Sequence, residues 1–110
     1  MKIRLTAALL IAPFVLFGST AFAADAAALW SQHCASCHGK DGSGKTTMGK
    51  KLAVKDYTTA QGQSFSDAEA EKAIKEGAKD GGKEKMKAYK DKLSDADVKA
   101  LVAYVRGLKK

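Results

Sequence analysis

Residues 34–38 read Cys-Ala-Ser-Cys-His, and this run limits what the rest of the chain can become. In a helix, positions three and four apart share a face, so Cys34, Cys37 and His38 address one ligand together. Cys-x-x-Cys-His is the attachment signature of a covalently bound c-type haem. Each thiol adds across one vinyl group of the porphyrin, and the two thioether links hold the iron beside His38 at a very high effective concentration. Other uses of the same residues are weaker. A thioredoxin-like dithiol expects a strand ahead of its helix, and none is readable there. A structural zinc site takes four ligands, usually from two knuckles, and the chain has no second cysteine pair. A disulfide across so short a loop stabilises little.

The stretch ahead of the run has the layout of an export leader. Lys2 and Arg4 give a positive start, residues 5–17 an apolar run broken by Pro13, and Ala21-Phe22-Ala23 an A-x-A-like cleavage site. The pattern predicts a cleaved signal peptide over 1–23 and a periplasmic domain over 24–110. The competing reading is an uncleaved anchor, because the apolar run approaches the ~20 residues that span a bilayer. Pro13 and the small residues 18–20 favour cleavage, after which no stable membrane insertion is expected. In both cases everything beyond Ala23 faces the exported side.

Lys2 and Arg4 account for two of the formal +7, so residues 24–110 carry +5 over 87 residues. A domain of that size is marginal on its own apolar side chains, the more so when many of them are Ala. A large flat prosthetic group bonded at two points supplies the missing core.

The domain reads as mostly helical, with no convincing period-2 strand. Asp25 is a plausible N-cap for a helix through Leu29 and Trp30 into the cysteine run. Three glycines between 39 and 45 mark a loop, and a short helix is expected around residues 50–54. Ser66 with Glu69 forms a capping box for the next helix. Ala70, Ala73, Ile74 and Gly77 follow as a narrow apolar stripe, with Gly77 as its end. Residues 78–93 read as a Lys- and Gly-rich loop containing Met86. The last helix is the best specified: Ser94 caps it, Asp95 and Asp97 sit in its positive first turn, and Leu93 with Val98 makes a hydrophobic staple. Its apolar face is Val98, Leu101, Val102 and Val105.

Along essentially its whole length this domain resembles the small class I c-type cytochromes. The resemblance lies in Trp30 four residues before Cys34, in Cys34 to His38, and in the stretches Lys85-Met86-Lys87-Ala88-Tyr89 and Leu93-Ser94-Asp95-Ala96-Asp97. It implies an all-α, cytochrome c-like fold of roughly three to five helices around one covalently attached haem. It also implies a packing of Leu29 and Trp30 across Leu101 and Tyr104. By the same resemblance haem c is bound through Cys34 and Cys37, His38 is the proximal iron ligand and Met86 the sixth. Met48, only ten residues beyond His38, is expected to pack on the haem or lie at the surface, and His33 to be exposed. The second nitrogen of His38 is expected to donate to a backbone carbonyl, with Thr47 standing where relatives often have Pro. Lys87 replaces another frequent Pro, so a looser ligand loop is expected.

These ligands imply a one-electron carrier rather than an enzyme, since both axial positions are filled and Met raises the potential. The alternative is a haem-based gas sensor or small haem enzyme with an open or displaceable sixth ligand. A haem subunit held permanently in a larger complex is a further possibility. Lys79, Lys83, Lys85, Lys87, Lys90 and Lys92 surround Met86 and predict transient docking of a monomer onto acidic surfaces of redox proteins. Nucleic acid is not an expected partner, because export and haem argue against it.

Overall fold

The computed structural model describes residues 26–110 together with Ala8, Leu10, Ile11 and Pro13. Apart from those four positions, the leader expected over 1–23 lies outside the described residues, as does the Asp25 cap. No helix among the described residues is long and apolar enough to cross a membrane.

Helix α1 runs over residues 26–38 and changes its winding on the way. It is α-helical over 26–29, opens into a π turn at Trp30–Cys34, and closes again over Ala35–His38. Wide turns of this kind sit disproportionately at functional sites. This one delivers the cysteine run. A loop of tight turns leads to α2, Thr47–Leu52, which starts three residues earlier than expected. The reason is its cap: the Thr46 side chain accepts from the Gly49 amide, and Ala53, in the left-handed region, closes the other end.

A 3-10 turn at Gln61–Gln63 precedes α3, Asp67–Glu76. Ser66 caps α3 through the Glu69 amide at 3.1 Å, while the return bond expected of a full capping box is not among its hydrogen bonds. Helix α4, Asp95–Arg106, has the full reciprocal box between Ser94 and Asp97. It buries Val98, Leu101, Val102 and Val105, the face expected of it.

Between α3 and α4 the structure departs from the loop expected over 78–93. Ala78–Asp80 (β1) and Lys83–Met86 (β2) pair antiparallel, with Asp80 opposite Lys83. Gly81 and Gly82 both have positive φ, 57° and 81°, which is what a two-residue hairpin turn requires. The domain is therefore helical with one small hairpin, and Met86 ends its second strand.

The core is one cluster of Trp30, Tyr89, Leu93, Val98, Leu101 and Val105. The Trp30 and Tyr104 rings lie 5.5 Å apart, so the first and last helices meet where the sequence places them. Arg106 binds the intervening loop to α4. Its guanidinium donates to the Gln63 carbonyl, the Phe65 carbonyl and the Asp67 carboxylate, and lies 4.2 Å over the Phe65 ring. Lys75 and Asp95, 2.8 Å apart, join the end of α3 to the start of α4.

Candidate haem-binding cleft

Helix α3 has no fully buried residue, although it carries an apolar stripe whose Ile74 packs on the edge of the core. Ala70, Ala73 and Ile74 of that stripe instead line a cleft of about 830 Å³. Cys34, Cys37 and His38 of α1 line the same cleft, and so does Met86 of β2. The volume lies within the ~300–1,000 Å³ usual for sites that enclose a bound organic molecule. Four residues from two distant parts of the sequence thus face one space.

The two cysteines are free thiols, both half-buried. Burial, with a lesser contribution from the neighbouring Cys37, pushes the Cys34 thiol up to about 11. Thiols that work in dithiol exchange are shifted the opposite way. Burial thus works against Cys34 as the activated thiolate of a dithiol pair. The described residues also contain no cluster of three or more His, Cys, Asp or Glu that fits a metal ion.

His38 sits between two aromatic rings. Tyr57 stacks on it at 5.3 Å and 26°, and Trp30 lies tilted at 5.6 Å. Burial lowers the His38 pKa, so the ring is the neutral imidazole that a metal ligand must be. Its Nδ1 is buried and has no hydrogen-bond partner. The expected donation to a carbonyl at Thr47 is thus not made. Helix α2 begins at that residue and directs its carbonyls along its own axis, the Lys50 amide taking the Thr46 carbonyl at 3.0 Å.

Thr46, not Thr47, is the residue that supports the cysteine run. Its hydroxyl donates to the Cys37 carbonyl at 2.6 Å and accepts from the Gly49 amide at 2.8 Å. Behind it α2 lies so close that a Cβ on Gly49 would stand 2.4 Å from the Cys37 carbonyl oxygen. Trp30 adds a second brace, its indole N–H donating to the Gly39 carbonyl at 3.0 Å.

Met48 is a surface residue, 44% exposed and absent from the cleft lining. His33 is half-buried rather than exposed, because its ring packs edge-on against Tyr89 at 5.6 Å. Met86, in the stretch expected to form a looser loop, instead ends the second strand of a hairpin, and Tyr89 behind it is buried. Tyr57 and Phe65, both lining the cleft, were not legible in advance, since neither sits in a periodic pattern. Lys79, Lys85 and Lys87 stand at the cleft lining, beside Met86.

A haem group fits these residues. A neutral buried imidazole, two thiols one helical turn apart, an apolar stripe lining the cleft and a thioether at the opposite strand are the donor set and walls it needs.

Comparison with known proteins agrees. The family model for cytochrome c oxidase, cbb3-type, subunit III matches residues 21–105. Among solved structures, the KustC0563 c-type cytochrome is similar at 40% identity and a TM-score of 0.69, covering 77% of this chain and 98% of its own. A single-residue variant of that cytochrome matches at 40% identity and a TM-score of 0.67, over 77% of this chain and 99% of its own. No curated protein matches the chain.

Proposed function

The chain belongs to the family of cytochrome c oxidase, cbb3-type, subunit III, as a small monohaem c-type cytochrome with covalent haem c, and we propose that it is a periplasmic one-electron carrier. In this reading residues 1–23 export it, Cys34 and Cys37 hold the porphyrin, His38 ligates the iron from α1, and Met86 ligates it from β2. The shared cleft carries the proposal: Cys34, Cys37, His38 and Met86 line one space, from opposite ends of the domain.

Bound there, haem supplies an iron that changes by one electron between Fe(III) and Fe(II). The chain's own residues set the terms of that exchange. His38 is wedged between Trp30 and Tyr57 and has little freedom to turn. The soft thioether of Met86 favours the ferrous state. With imidazole and thioether both engaged, no position remains for a substrate, so the protein carries electrons and converts nothing.

Docking follows from charge. Lys79, Lys83, Lys87, Lys90 and Lys92 are exposed, with Lys85 half-buried among them, around the strand that ends in Met86. Such a rim steers a monomer onto acidic partner surfaces in small, transient contacts. The test is stopped-flow electron exchange between the haem-loaded protein and an acidic redox protein at rising ionic strength. The rate is expected to fall roughly tenfold or more as salt screens the approach. Lys85→Glu with Lys87→Glu should remove most of that dependence. A rate indifferent to salt would rule out steering by this surface.

The family's description favours a second reading, a haem subunit held permanently in a larger assembly. Such a subunit needs an apolar contact face of several hundred Å². The large exposed hydrophobic residues among those described are Leu10, Ile11 and Met48, of which only Met48 belongs to the folded domain. The free carrier is therefore preferred.

A further inference from the structure

Met86 is the last residue of β2, and the backbone just after it runs directly across the end of α3. Gly77, which closes α3, has φ +79°, a conformation that side chains rarely adopt. A Cβ there would stand 2.5 Å from the Met86 carbonyl oxygen and 3.0 Å from the Ala88 nitrogen. No flexible side chain lies between; the obstacle is backbone. Two further bonds fasten the same crossing, the Tyr89 amide to the Ile74 carbonyl at 2.9 Å and the Lys90 amide to the Lys75 carbonyl at 3.2 Å.

Tyr89 continues the connection to the other wall of the cleft. Its ring is buried, with the Lys87 ammonium 5.6 Å over one face and the His33 ring against its edge. Its hydroxyl donates to the His33 carbonyl at 3.1 Å. His33 immediately precedes Cys34. The residue three places beyond Met86 is thus tied to the helix that carries Cys34, Cys37 and His38.

We propose that Gly77 and Tyr89 are positioning residues for the sixth ligand. Gly77 sets how closely the Met86 backbone lies on α3, and Tyr89 fixes the distance between that backbone and the haem-binding turn of α1. Together they hold the two sides of the cleft at one separation, so that the thioether stays on the iron. The inference rests on the reading of Met86 as ligand.

The test uses the haem-loaded ferric protein and imidazole as an outside ligand that enters only when the thioether leaves. Tyr89→Phe removes one oxygen and keeps the packing. It should speed imidazole uptake about three- to tenfold, the scale of one lost hydrogen bond. Gly77→Ala should speed it more, and weaken the long-wavelength thioether-to-iron absorption band. Ser66→Ala is the control: it removes the cap at the far end of α3, costs comparable stability, and should leave uptake unchanged. Met86→Ala gives the upper limit. If Met86→Ala takes up imidazole no faster than the parent, the ligand assignment itself fails. If Met86→Ala is fast while Tyr89→Phe and Gly77→Ala match the parent, the ligand stands and the clamp is refuted. Equal acceleration by Ser66→Ala would also refute it, by tracing the effect to stability alone. Should Gly77→Ala not fold, Tyr89→Phe decides.

Discussion

With Cys34 and Cys37 both replaced by Ser, the chain is expected to retain no haem on a denaturing gel and to lose most of its helical content. The first effect follows from the thiols being the only atoms able to form the links. The second follows from where the apolar surface lies. Among the described residues the central core cluster is made of six buried side chains, and α3 contributes none of them. Its stripe of Ala70, Ala73 and Ile74 lines the cleft, so α3 completes its apolar packing only when the cleft is filled. A domain this small has about 5–15 kcal/mol of stability to lose, and removal of its largest apolar component should consume most of it. Haem staining and far-ultraviolet circular dichroism on the purified double variant check both parts. A colourless chain with the parent's helical signal would show that the protein core suffices alone.

Met86→Ala carries the second large effect, and here the fold should survive. Met86 is only partly buried and packs on the edge of the cluster, so truncation costs the core little. The iron, by contrast, loses the soft donor that favours its ferrous state. The reduction potential should fall by on the order of 0.2 V, out of the ~0.8 V that axial ligation spans. Equilibrium redox titration measures it. A potential within error of the parent would remove Met86 from the ligand set and return the gas sensor or small haem enzyme as the better account.

The sequence was most legible where local chemistry and tertiary packing ask for the same residues. Ser94, Asp97, Leu93 and the face of α4 are correct in detail because capping, staple and core burial coincide there. The cysteine run is legible for another reason: its spacing is fixed by the ligand, whatever surrounds it. The hairpin was hidden by its composition. Gly81-Gly82 is a strong turn signal, but charged residues flank it, and without β-branched alternation no strand stands out. Tyr57 and Thr46 were hidden differently. Each acts through one tertiary contact, a stacked ring on His38 and a hydroxyl on the Cys37 carbonyl, and a single contact leaves no period to read. The π turn at Trp30–Cys34 has the same character, since nothing in five ordinary helical residues announces a wider winding.

In the proposed carrier the iron is held from both sides, by His38 of α1 and by Met86 of β2. Absorption spectra of the reduced parent protein at neutral pH, with and without carbon monoxide, test it most directly. Superimposable spectra are expected, because no coordination position is free. Prompt formation of a carbon monoxide complex would contradict the two-sided ligation, and with it the assignment of this cytochrome as a carrier.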